Sequence, residues 1–180
     1  MYISRQKREE NIAEFVLYMW QIEDVIRACN LDLAKIEKTI IANQDLEEAQ
    51  KEELKKWYKD LCNKMKIQKI EKVGHLREVN EVVEELSMLH NSLLTYYKDE
   101  KYIEFYSFAE QFIDEFKKVS NNPKASNIEV MFTALYAKLI LKLQGKDISS
   151  STEEAFDAFR NVLAYLASKY KQMQNGELSE

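Results

Sequence analysis

Apolar residues recur at helical spacing along nearly the whole chain. Ile12, Phe15, Val16, Met19, Ile22 and Ile26 fall on one stripe, which predicts a first helix from about Ser4 to Asn30. Asp32 stands where it can cap a short helix carrying Ile36, Ile40 and Ile41. Asp45 followed by Glu48 reads as an acidic capping box opening a third helix, with Leu54, Trp57, Tyr58, Leu61 and Met65 on one face. The phase breaks near Ile67, so Gln68 to Val73 reads as a connector that Gly74 closes. A fourth helix is expected from about His75 to Tyr97. Asp99 then caps a fifth, with Tyr102, Phe105, Tyr106, Phe108, Phe112, Ile113 and Phe116 as its buried stripe. The clearest break is SNNPKAS, Ser120 to Ser126. Ser126 with Glu129 opens a sixth helix that stops before Gly145, and Ser151 with Glu154 opens a seventh that runs to about Met173.

The sixth helix differs in kind. From Ile128 to Leu143 its apolar residues cover most of the circumference, leaving only a Lys138/Lys142 edge and a Glu129/Thr133/Gln144 side polar. Helices apolar nearly all round are enclosed by neighbours. The expected fold is therefore all-α: a single-domain bundle of six to seven helices around a central apolar helix at about 127–144. It spans 1–175 and leaves 176–180 as a frayed tail, and Val130 to Leu143 is its most buried segment.

Composition narrows the function classes. With 180 residues the chain suits one domain, and a formal charge of −5 argues against nucleic acid as a partner, because phosphate neutralisation needs a basic surface. Three glycines and one proline are too few for a β-sandwich or a glycine-loop nucleotide fold. Cys29 and Cys62 show no zinc or redox spacing and read as small buried hydrophobes of a reducing compartment. The first residues carry charge without an apolar run, and Val130 to Leu143 is too short to span a bilayer. A cytoplasmic protein without membrane contact is expected.

Two helices carry polar residues on apolar faces. With Ile12 at zero on a helical wheel, Glu23, Arg27 and Asn30 lie within roughly 80° of it, beside Met19 and Ile26. Glu23 and Arg27 are four apart, in the favourable order for an ion pair. His75 and His90 share the face of Val79, Val82, Leu86 and Leu89. On a straight helix their 15-residue spacing is roughly 22 Å, too far to ligate one metal. A structural bridge at Glu23–Arg27 and satisfied core histidines are the plain readings. A polar pocket built on Glu23, Arg27, Asn30 and a histidine, His75 or His90, is the functional one. Neither histidine has a glutamate three positions earlier, HExxH is absent, and no phosphate-binding glycine pattern occurs. No metal, cofactor or catalytic residue is expected, and an enzyme is not the favoured reading.

KREENIAEFVLYMWQIEDVIRA near the N-terminus, GHL at Gly74 to Leu76, LSMLHNSLL at Leu86 to Leu94 and FTALYAKLILKLQ in the sixth helix together resemble one family. It is the all-helical family from Bacteroidetes-type bacteria labelled domain of unknown function 4924. The resemblance implies a bacterial cytoplasmic protein and carries no activity, ligand or catalytic residue with it. Two function classes are left. One is an interaction or scaffolding module that binds a protein partner or forms a homo-oligomer through an exposed groove. The other is a small anionic-ligand binder or enzyme using the polar pocket; a concave site reaching Arg27 would favour it, and a sealed bridge would favour the first.

Overall fold

The computed structural model describes residues 2–119, 122 and 124–178. Among the described residues there are eight α-helices, one π turn and no strand, so the chain is all-α with more helices than the spacing predicts. The extra helix arises at the N-terminus, where α1 (Tyr2–Glu10) and α2 (Ile12–Ala28) replace one continuous element. The break falls at Asn11, whose side-chain oxygen accepts the Ala13 N–H at 3.1 Å. Asparagine thereby offers the backbone an alternative to the helical ladder.

Caps define most other boundaries. Asp32 accepts the Ala34 and Lys35 N–H groups and starts α3 (Leu33–Ile36), which runs straight into a π turn (Glu37–Ile41). α4 (Glu48–Ile67) opens on a box two positions later than expected: the Gln50 side chain accepts the Glu47 N–H at 3.0 Å. α5 (Arg77–Thr95) begins after His75, not at it. Asp99 accepts the Tyr102 N–H at 3.0 Å to start α6 (Glu100–Val119). Ser126 accepts the Glu129 N–H at 3.1 Å to start α7 (Asn127–Leu143). For α8 (Ser150–Gln174) the cap is Ser149, two positions before the serine expected, and it accepts the Thr152 N–H at 3.3 Å. Ser120, Asn121 and Pro123 of the expected break, and 179–180 of the expected tail, lie outside the described residues.

The chain divides into two compact units. The first holds α1, α2 from Glu14 onward, α3, the π turn, α4 and the chain to Glu81. There α3 and the π turn pack on α4, burying Ile36 and Ile41 with Leu54, Tyr58, Leu61, Cys62 and Met65 in the core. Both cysteines are buried thiols.

The second unit holds Asn11–Ala13 and the chain from Val82. α6, α7 and α8 pack pairwise, and Phe116 meets Phe156 and Phe159 edge-on at 5.6 and 5.1 Å. The buried stripe of α6 is Tyr102, Tyr106, Ala109 and Ile113; Phe105, Phe112 and Phe116 flank it half-buried, and Phe108 is 45% exposed. The expectation that all four phenylalanines are core is corrected accordingly. The expectation for Val130 to Leu143 is corrected too. Val130, Met131, Phe132 and Ala134 are buried, but Leu135, Leu139, Ile140 and Leu141 are only half-buried and Leu143 is 75% exposed. Lys138 explains part of this arrangement. It lies on the α8 side of α7, bonded to Glu153, 3.7 Å from Asp157 and over the Phe156 ring, so a cation occupies a position the wheel treats as an edge. No helix among the described residues is long and apolar enough to cross a membrane.

Candidate functional site

The first unit contains a charged cluster in an apolar setting. α2 supplies Trp20, Glu23, Asp24 and Arg27, which the 3.6-residue repeat places on one side of the helix. The segment 68–76, between α4 and α5, supplies the other half. Glu23 is fully buried. One of its carboxylate oxygens accepts the Leu76 N–H at 3.0 Å, and the other lies 2.7 Å from His75 Nδ1. Buried carboxylates require this kind of satisfaction, since desolvating an unpaired ion costs several kcal/mol.

Arg27 is turned toward the backbone of the same segment. Its Nη2 donates to the Ile70 carbonyl at 3.3 Å and to the Gly74 carbonyl, and its Nη1 donates to Asp24 at 2.8 Å. The nearest Glu23 oxygen is 3.9 Å away, so the expected pair exists as a longer contact inside a larger network. Nε–H is buried and has no partner among the described residues. Gly74 has φ +97°, a conformation L side chains rarely adopt, and this turn is what aims its carbonyl at the guanidinium.

His75 therefore sits outside α5, held in the connector. The indole of Trp20 stacks on its ring at 4.1 Å and 14°, and the Asn80 side chain donates to its carbonyl at 3.2 Å. The two histidines do not share one straight helix, because Gly74 and Glu23 fix His75 before the first helical turn. Glu23 on the Leu76 N–H and Gln68 Oε1 on the Arg77 N–H, at 2.8 Å, together cap the start of α5 from two other elements.

The structure thus brings together Glu23, Arg27 and His75, and gives Asn30 and His90 other partners. Asn30 is exposed with φ 57°, and with Leu31 it ends α2 in a left-handed cap where the Leu31 N–H reaches the Ile26 carbonyl at 3.0 Å. Helical wheels fail at such a residue, because it is no longer helical. His90 is buried in the second unit, 2.7 Å from the Tyr102 hydroxyl and edge-on to the Tyr106 ring. Burial pulls its pKa from 6.5 down to about 4, which keeps the ring neutral at pH 7. Burial likewise raises the pKa of the Tyr102 hydroxyl.

Trp20, Ile70 and Gln68 belong to the site without having been singled out by sequence. Trp20, three positions before Glu23, offered a signal; Ile70 takes part through its carbonyl, which leaves no trace in a side-chain pattern. An open pocket of about 250 Å³ lies in the second unit, lined by Phe112, Glu115, Phe116, Ser151, Thr152 and Ala155, and none of the expected site residues lines it. Among the described residues no three His, Cys, Asp or Glu side chains converge as metal ligands would.

The fold and the cluster define an all-α protein whose buried charges clasp an interhelical connector. The chain belongs to the family described as Domain of unknown function (DUF4924), whose model matches residues 1–177. No curated protein and no solved structure matches it.

Proposed function

We propose that the protein is a helical interaction module of the cytoplasm, and that the Glu23–Arg27–His75 cluster serves its architecture. The observation that carries this reading is the direction of the cluster's bonds. Both Glu23 oxygens and both terminal nitrogens of Arg27 are engaged by groups of the same chain. An anion arriving there would have to displace carbonyl and carboxylate acceptors already in place. Met88, Phe108 and Leu143 meanwhile expose between 45% and 75% of their surface, which supplies apolar contact area for a partner. Buried free thiols at Cys29 and Cys62 support a reducing compartment. Within the second unit α6, α7 and α8 pack on one another, which supports a helical bundle there but not one centred on α7, whose second half, Lys138 apart, is half-buried to exposed.

The alternative, an anionic-ligand binder built on Arg27 and His75, draws on the 31% exposure of the His75 side chain. Native mass spectrometry of the purified protein tests the choice. Self-association, or a stoichiometric protein partner lost on Phe108→Ser or Leu143→Ser, supports the module. A co-purifying small anion lost on Arg27→Met supports the alternative.

A further inference from the structure

The clasped connector carries a feature that a purely structural loop would not need. Ile67 and Val73, at its two ends, each expose 80% of their surface, more than Met88, Phe108 or Leu143. Around them Lys66, Lys69, Lys72 and Arg77 are all exposed, and the one exposed carboxylate in the same stretch is Glu71. Lys64 is already committed to Glu78 at 2.5 Å. A chain with a formal charge of −5 therefore concentrates positive charge where it exposes aliphatic side chains.

The backbone beneath is held firmly. Arg27 grips the Ile70 and Gly74 carbonyls, Glu23 grips His75 and the Leu76 N–H, and the Ile70 N–H closes on the Met65 carbonyl at 2.9 Å. Solvent-facing loops fixed in this way present their side chains without the ordering cost a floppy loop meets on binding.

We propose that the 66–77 segment docks the protein on an anionic bilayer surface, with Ile67 and Val73 entering the interface and the lysines meeting lipid headgroups. This goes beyond the module reading and departs from the sequence expectation of no membrane contact. Composition selects the partner. Protein interfaces are depleted in lysine, and their anchoring residues are mostly Trp, Tyr and Arg. Single-stranded nucleic acid asks for aromatic platforms on which bases stack. Exposed aliphatic side chains interspersed with exposed lysines along one short segment fit neither, but they match a membrane interface, where each lysine near an anionic surface adds about fivefold in partitioning. The absence of a spanning helix among the described residues makes this a peripheral, reversible contact.

Co-sedimentation with phosphatidylcholine vesicles containing about 30% phosphatidylserine tests it against vesicles of phosphatidylcholine alone. Wild type should bind only the anionic vesicles and be released by salt. Lys69→Glu/Lys72→Glu should weaken binding by about tenfold or more, and Ile67→Ser/Val73→Ser should weaken it at constant charge. All four side chains are exposed, so these variants should keep the wild-type melting temperature. Val73→Trp should show a blue-shifted emission on anionic vesicles. No binding by wild type, or binding unchanged in both double variants, overturns the proposal. Equal binding to polyglutamate, insensitive to Ile67→Ser/Val73→Ser, overturns it in favour of plain attraction to an acidic protein.

Discussion

Glu23 and Leu76 are 53 positions apart in sequence and joined by a 3.0 Å hydrogen bond from the Leu76 amide to a fully buried carboxylate. That bond places a negative charge at the first turn of α5, where the helix dipole and the unpaired amides favour it. The anion that α5 attracts is thus supplied by α2.

Removal of that carboxylate strands its partners. Glu23→Ala is expected to destabilise by about 3–5 kcal/mol, the penalty for breaking a buried ionic network from one side. Glu23→Gln keeps one acceptor for the Leu76 N–H and should cost less, about 1–2 kcal/mol. Urea unfolding of the two variants reads the difference; equal losses would mean that charge, not acceptance, is what α5 requires.

Arg27→Met should cost about 3 kcal/mol, because two connector carbonyls lose a charged donor while the aliphatic stem is kept. Since the guanidinium is engaged, phosphate, citrate and dicarboxylates should leave the wild-type melting temperature unchanged beyond their general salt effect. A saturable rise in wild type, lost in Arg27→Met, would instead reveal an anion site by the linkage of binding to stability.

Gly74→Ala combines two penalties. Its φ of +97° is strained for any L side chain, and the new Cβ would stand 3.3 Å from the Ile70 side chain. A loss of about 1–2 kcal/mol is expected from the backbone alone. Hydrogen exchange at the Leu76 and Arg77 amides should quicken with it, because both are held by side chains from other elements. Unchanged exchange there would show that the connector keeps its shape without the left-handed turn.

His90 gives stability a dependence on pH. Burial lowers its folded pKa to about 4, against 6.5 for the ordinary ring, so the unfolded chain takes up the proton first. The full contribution is present above pH 6.5. It declines as pH falls toward 4 and is gone below that, for a total of about 3 kcal/mol. His90→Gln should flatten the slope of unfolding free energy between pH 6.5 and 4. Asp99 adds a second decline at lower pH: burial pushes its carboxyl up, but hydrogen bonds from Lys169, the Tyr102 amide and Tyr165 outweigh it and hold the group below the usual range.

Helix content and the placement of Glu23 and Arg27 on an apolar face were legible because side-chain type repeats with helical period. The partners of Arg27 were not. Besides Asp24 and the longer contact to Glu23 they are the carbonyls of Ile70 and Gly74, and a backbone acceptor looks the same beneath every residue. Asn30 misled for a related reason: the wheel assumes helical geometry up to the last residue, and Asn30 has already left it at φ 57°. The cap misplaced at Ser151 lay near an equal capper, Ser149, while at Asp45 the stronger capping residue was passed over for Glu47, whose N–H the Gln50 side chain accepts; only the observed backbone separates such neighbours. Near-complete apolarity made α7 look enclosed on every side. It does not distinguish a helix buried along its length from one buried over its first half.

The π turn at Glu37–Ile41 bears on how the family can vary. In α geometry Ile36 and Ile41 would stand roughly 140° apart around the axis, at about 100° per residue. The wider loop closed by the Ala42 N–H on the Glu37 carbonyl lets both be buried, at 0% and 3% exposure. The turn in effect stores one surplus residue. Relatives one residue shorter between Asp32 and Ala42 should run through this point as plain α-helix, making it the place where the chain tolerates a change of length without reordering its core.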